Sequence, residues 1–439
     1  MDSRPLLRNA KKIQVYIDSK TFDELLTSQD RLATAILRHC DSECLVFVRS
    51  PLETKHKELK QIAEYRLSIK ESEIKSIEFE QADFSKRSLF HYRMQDIRKI
   101  AEKIYGRDRI TQTELDMILS VFIQAVFNRF EKSNIYVTND KILLKNRLWF
   151  ESHSPGGPLN IMSVEEAAIF LDLFFKKNGN YFASSRYHLN KGFWYWLSMR
   201  LKLPHFNVGD PMMDALAFRF YYALMALDEI GIQFYLGTDN DTMDNTLYHF
   251  NYLISLITGI FDNLALKTNT HLGIDFSDLR KVSLSNKSGK EFLREVRKKN
   301  KAIRDHISSY MNFIQLIYTF RETVVHREGL AKVRFEYVGK NIRWRANFTQ
   351  LSEEQKDYIR LCGDIKSEFD PFTQWGVYVA TNVFLEPYHF SLKTIAMLMK
   401  FVDEYLQLLG YSSFIETQKQ KDEDFTHTLN LFERCHLGF

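Results

Sequence analysis

Residues Met311 to Leu330 read MNFIQLIYTFRETVVHREGL, and this stretch sets the architecture of the C-terminal half. An apolar run at helical spacing is followed abruptly by polar groups at Arg321, Glu322, His326 and Arg327. A helix so patterned buries its first turns against other helices and brings its last turns out to water. The opening helix spans Ser309 to His326, and the same period recurs upstream in Met212 to Ile230, Thr246 to Leu266 and Ser288 to His306, and downstream in Ser391 to Leu409. A helical bundle is expected. Val333 to Phe348 (VRFEYVGKNIRWRANF) alternates in strand fashion around Gly339, Lys340 and Asn341, so a β-hairpin is expected to interrupt the bundle. The stretch around Pro371 reads as irregular.

Moving toward the N-terminus, Ser152 to Pro158 (SHSPGGP) holds two prolines and two glycines in seven residues and marks a linker. Ser163, with Glu166 three positions on, reads as a capping box that starts a helix from Val164 to Lys177. Before the linker, compact apolar runs at Ile13 to Ile17 (IQVYI), Cys44 to Val48 (CLVFV) and Asn134 to Thr138 (NIYVT) alternate with helical patterns, the signature of a parallel sheet flanked by helices. The expected organisation is an α/β domain over residues 1–151, a linker and helical connector over 152–210, and a mainly α bundle over 211–439 with its hairpin at 333–348.

Composition sets the outer limits. The chain has 439 residues, 45% hydrophobic and 26% charged, with 35 Phe and 21 Tyr, which suits more than one folded core. Apolar runs such as Ala167 to Phe175 fall well short of the roughly 20 residues that span a bilayer. Met1 to Lys12 has no apolar stretch of secretory length, so a cytoplasmic location without a membrane partner is expected. Cys40, Cys44, Cys362 and Cys435 offer neither a disulfide framework nor a zinc pair and read as ordinary thiols. A net charge of +4 argues for no partner by itself. Locally, Lys287 to Arg304 is strongly basic, and Arg294, Arg297, Lys298 and Lys299 are its candidate nucleic-acid contacts. The aromatic segment 181 to 196 is read as core between domains.

In the opening helix, Arg321 can brace an anionic phosphate and His326 can move a proton near neutral pH. Arg321-Glu-Thr-Val-Val-His326 resembles the Arg-x4-6-His motif of the HEPN superfamily in its short form, placed on a late helix of a bundle. The resemblance implies metal-independent RNA cleavage: a ribose 2′-hydroxyl attacks the adjacent phosphate, His326 assists proton transfer, and Arg321 stabilises the developing charge. Glu322 fills the polar slot after the Arg and lies one helical turn from His326, close enough to orient its ring. Five positions at about 100° each separate Arg321 and His326 by roughly 140° around the helix. One protomer thus presents half a site, and the resemblance supplies a homodimer in which two motifs share a cleft. Arg200 and His205 repeat the spacing, but Pro204 breaks the helix that the motif requires.

The N-terminal domain carries a rival acidic set. Asp18 follows the first apolar run and Asp140 the third, placing both at carboxyl ends of parallel strands, where ligands of such sheets bind. Asp116 lies in the helix before the third strand, and Glu58 in the helix after the second, with Glu53 and Glu64 as alternatives. The order, including Asp116 to Leu119 and Val137 to Asp140, resembles PIN-like nuclease domains. That resemblance implies Mg²⁺ or Mn²⁺ held by Asp18, Glu58, Asp116 and Asp140, whereas the Arg321 and His326 site needs no cofactor.

The fold expected is therefore multidomain: an N-terminal PIN-like parallel-sheet domain, then a HEPN-like helical bundle with a hairpin insertion. The function expected is a HEPN-type endoribonuclease acting on RNA as a toxin or antiviral-defence effector, with an antitoxin or other regulatory partner. A metal-dependent PIN-like nuclease and a non-catalytic nucleic-acid-binding scaffold are the alternatives.

Overall fold

Four short apolar strands assemble the first layer of the computed structural model: β1 (Ile13–Ile17), β2 (Leu45–Arg49), β3 (Ile135–Val137) and β4 (Asn160–Met162). The structure describes residues 13–18, 45–49, 94–115, 135–153, 160–177, 211–236, 240–276, 278–326, 332–338, 343–362, 375–379 and 382–415. It also describes single positions 20, 21, 24, 25, 117, 118, 121, 195, 199, 238 and 330. All pairings in the sheet are parallel, in the order β2, β1, β3, β4, with Val15 opposite Phe47 and Ile135, and Tyr136 opposite Ile161. Every residue of β3 and β4 is buried, as expected of strands covered on both faces. Helices α1 (Met94–Tyr105), α2 (Lys141–Lys145) and α3 (Arg147–His153) accompany the sheet, and Ala101, Ile118, Tyr136, Leu143 and Phe150 share its core.

The sheet does not end at the linker expected at 152. β4 lies beyond the Pro-Gly stretch and pairs with β3, so the segment taken as connector contributes the edge strand. A three-residue strand has too few positions to show an alternating pattern. Helix α4 (Val164–Lys177) follows, and its capping box forms as read: Ser163 N–H donates to Glu166 Oε2 at 2.9 Å and Glu166 N–H to Ser163 Oγ at 3.2 Å. Glu166 also meets the buried Arg147 guanidinium at 3.0 Å.

α4 packs on β3 and β4 and, on its other side, against the first helix of the bundle. That bundle comprises α5 (Pro211–Tyr235), α6 (Asn240–His271), α7 (Lys290–Lys299), α8 (Lys301–Ser309) and α9 (Met311–His326). Two further helices, α10 (Glu353–Leu361) and α11 (Pro387–Leu408), complete it. A Cβ at Gly231 of α5 would stand 2.7 Å from Tyr388 Cε2 and 2.8 Å from Leu173 Cδ1, so glycine there lets α4, α5 and α11 meet. Phe250, Phe320 and Phe390 interlock with ring centroids 5.2 to 5.7 Å apart, and Phe261 stands edge-on to Phe313 and Phe401. Tyr195, from the aromatic segment read as core, is 2% exposed and packs on Phe220 and Phe414.

Two expectations are corrected. The helix expected from Ser288 to His306 is two helices, because Asn300 adopts an extended backbone (φ −148°) and its side chain accepts from Ile303 N–H at 3.1 Å, capping α8. The hairpin forms as β5 (Lys332–Val338) and β6 (Arg343–Gln350), with Val333 opposite Phe348. It is half of a four-stranded antiparallel sheet, since β7 (Val377–Val379) and β8 (Val383–Leu385) join it in the order β5, β6, β8, β7 from the stretch read as irregular. Among the described residues no helix is long and apolar enough to cross a membrane. Cys362 is half-buried against the bundle core, and burial pushes its thiol up to about 12, while Cys40, Cys44 and Cys435 lie outside the described residues.

Candidate functional site

The first turns of α9 are core: Phe313, Ile314, Leu316, Ile317 and Phe320 are all buried. The helix leaves the core at Arg321, which is exposed, and Glu322, which is half-buried. Both line a cleft of about 770 Å³ whose walls are α6, the loop 278–288 and α9. His326 is the last residue of the same unbroken helix, so the angular separation from Arg321 stands; its side chain lies outside the described residues.

The loop wall is built from small residues. Ser285 N–H donates to Ser283 Oγ at 3.1 Å, Lys287 N–H to Ser285 Oγ at 3.2 Å, and Gly289 N–H to the Ser285 carbonyl at 2.8 Å. A Cβ on Gly289 would fall 1.9 Å from the Ser283 carbonyl oxygen, so only glycine closes this turn into α7. Gln315 Nε2 donates to Ser285 Oγ at 3.2 Å and ties the loop to α9. Across the cleft, the Tyr318 hydroxyl donates to Asp262 Oδ1 at 2.8 Å. Burial, then the Asp262 charge, hold that phenol far above its usual range.

The cations around the cleft differ in their partners. Arg280 pairs with Asp278 at 3.0 Å, and Lys287 with Glu354 at 2.8 Å, a bond that raises the lysine's pKa. Glu322 Oε2 stands 3.9 Å from Lys287 Nζ, so the residue expected to orient His326 also belongs to this ion network. Arg321 has no ion pair or hydrogen bond among the described residues. From the cleft edge at Lys287 the chain enters α7, where Arg294, Arg297, Lys298 and Lys299 are all exposed. Glu295 engages Lys298 at 2.7 Å and Arg294 at 3.6 Å; Arg297 and Lys299 have no ion pair among the described residues.

At the sheet, Asp18 and Asp140 come together at the carboxyl ends of β1 and β3. Asp18 is 1% exposed; its Oδ1 accepts from Thr21 N–H at 2.9 Å, and its Oδ2 is buried without a hydrogen-bond partner among the described residues. Burial raises its pKa, the nearby Asp140 charge adds to the rise, and Thr21 and the Thr138 hydroxyl oppose it. Asp140 caps α2, its Oδ1 accepting from Ile142 N–H at 2.8 Å and Leu143 N–H at 2.9 Å, while the Tyr105 hydroxyl reaches its Oδ2 at 3.5 Å. Asn139 N–H donates to Thr21 Oγ1 at 2.8 Å and knits β3 to the turn after β1. Among the described residues no three potential metal ligands gather here. Asp116 and Glu58, and the alternatives Glu53 and Glu64, lie outside the described residues.

Sequence reasoning missed Thr21, Thr138 and Tyr105 at the sheet, and Asp262, Tyr318 and Ser283 at the cleft. Thr138 stands beside Asp140 in the VTND strand end and was within reach of the same reading; Asp262 signals itself only as one acid in the apolar run ITGIFDNLAL. Compared with family models, with curated proteins and with solved structures, the chain matches none.

Proposed function

We propose that the chain is a HEPN-type endoribonuclease in which Arg321 and His326 cleave RNA without a metal. The observation that carries this reading is Arg321: an exposed guanidinium, unpaired among the described residues, at a cleft and on one helix with His326. Neighbouring cations are engaged by carboxylates, which leaves Arg321 the group ready for an incoming phosphate. In the reaction, the ribose 2′-oxygen loses its proton to a base and bonds to phosphorus. The bond from phosphorus to the 5′-oxygen breaks, and that oxygen takes up a proton. The products are a 2′,3′-cyclic phosphate and a 5′-hydroxyl. His326 moves the protons and Arg321 neutralises the charge gathering on the phosphoryl oxygens.

A homodimer presenting two copies of α9 to one strand completes the site, and the exposed basic face of α7 receives the flanking phosphates. A cytoplasmic toxin or antiviral-defence effector, restrained by an antitoxin or other regulatory partner, is the biological role that belongs to this reading. Arg321→Ala and His326→Ala are each expected to reduce cleavage of single-stranded RNA by about a hundredfold or more with the melting temperature unchanged. Full activity in both folded variants sinks the assignment.

A second reading is favoured by the unpartnered buried Oδ2 of Asp18. A buried carboxylate oxygen with no donor at hydrogen-bond distance among the described residues, beside a second carboxylate, fits a hard cation. Asp18 and Asp140 would hold Mg²⁺ or Mn²⁺ with Asp116 and Glu58, and the ion would supply an activated water. Cleavage that survives EDTA supports Arg321 and His326; cleavage abolished by EDTA and by Asp18→Asn supports the acidic set.

A further inference from the structure

Asp262, Tyr318 and Ser283 take no part in the cleavage chemistry, yet they form a hydrogen-bonded chain across the cleft. The Tyr318 hydroxyl holds Asp262 Oδ1 at 2.8 Å, and Ser283 Oγ donates to the same hydroxyl at 3.3 Å. One carboxylate oxygen is thereby held by the Tyr318 hydroxyl, which Ser283 in turn steadies from the loop. Oδ2 has no hydrogen-bond partner among the described residues. An ionised carboxylate offers acceptors only, so a ligand that meets it must present N–H or O–H donors.

The other walls add two requirements. Leu266, Val282 and Leu279 give the cleft an apolar side, and Leu279 is a leucine left 59% exposed on a short 3-10 turn (Leu279–Lys281). Arg321, at the same cleft, supplies a planar pair of donors suited to phosphate. A fitting ligand therefore has a flat part-apolar body, two adjacent donors and an anion, in a volume usual for small-ligand clefts. Among nucleobases, guanine alone sets N1–H beside an exocyclic N2–H. Adenine and cytosine place an amino group beside a ring acceptor, whose lone pair would face the carboxylate. Uracil has one N–H between two carbonyls.

We propose that this cleft binds a guanine nucleotide, with the N1 and N2 edge on Asp262, the ring against Leu266, Leu279 and Val282, and the phosphate on Arg321. The proposal rests on the phosphate-holding role given to Arg321 above and adds a base preference to it: Asp262 is the residue that selects the nucleotide, and Tyr318 is a positioning residue that acts through it.

Binding, not cleavage, tests it. The full chain is titrated with GMP, IMP and AMP, and with the pentanucleotides AAGAA and AAAAA 2′-O-methylated throughout so that they cannot be cleaved, by calorimetry in EDTA. GMP is expected to bind about tenfold or more tighter than AMP, with IMP between them because it keeps N1–H and lacks the 2-amino group. Asp262→Asn should bring GMP and AMP to within about twofold of each other. If that variant melts early, Tyr318→Phe, which removes only the hydroxyl, should still lower the ratio of GMP to AMP affinity. A gain of AAGAA over GMP assigns the guanine to an RNA strand; GMP binding with no such gain assigns it to a free nucleotide. GMP and AMP bound alike, no binding by any probe, or an unchanged ratio in a folded Asp262→Asn overturns the proposal. Guanine selectivity without RNA cleavage defeats the nuclease reading and leaves this one standing.

Discussion

Asp18 makes stability depend on pH in a direction opposite to that of a paired carboxylate. Burial raises its pKa above the ordinary 3.8, and Asp140 adds to the rise. Between that ordinary value and the raised folded value, the native state keeps a proton that the unfolded chain has already lost. Stability therefore falls as pH climbs through this window and stays lower above it. Asp18→Asn is expected to melt higher than the parent at pH 7, by about 1–2 °C for each kcal/mol relieved, and to lose that advantage below about pH 4. Thermal melts at the two pH values check it; an equal melting temperature at pH 7 refutes it. Asp18 and Asp140 were legible because each closes an apolar β run. Asp262 was not, because what distinguishes it is the hydroxyl of Tyr318, 56 positions away in sequence.

At the level of elements, the turn into α7 is the most exacting. Gly289→Ala forces a Cβ onto the Ser283 carbonyl oxygen and is expected to cost about 1–3 kcal/mol by chemical denaturation, with a loss of cleft binding. An unchanged midpoint would mean that the loop yields freely. Asn300→Ala removes the cap of α8 and should cost about 1 kcal/mol. The long periodic helices α5, α6 and α11 were readable as elements, since many apolar positions agree on one phase, but their ends were not: α6 runs from Asn240 to His271, past both bounds of the Thr246 to Leu266 reading. The break at Asn300 was not, because the apolar period of α7 passes into that of α8 through one residue whose backbone alone changes. β4, β7 and β8 have three residues each and are specified by the strands they meet, information that lies elsewhere in the chain.

Across the whole molecule, the nuclease reading has one RNA strand meet both the cleft and the exposed cations of α7, Arg297 and Lys299, which have no ion pair among the described residues. Arg297→Gln and Lys299→Gln are each expected to lower the slope of RNA affinity against salt by about one, without altering base preference. Slopes equal to that of the parent would remove α7 from the interface. The division into an α/β part and a helical part was legible in the change of period; its boundary was not, because the Pro-Gly stretch looks like an end although the chain returns to pair with β3. That return bears on how the protein can be cut. A fragment stopped at residue 151 would keep the pairing of β3 with β1 but leave its other edge, the one that meets β4, bare along an apolar strand, an open template for adding other chains. The same cut would strip α4 from the sheet, so the N-terminal fragment is expected to aggregate, whereas one carried through residue 177 retains its own edge.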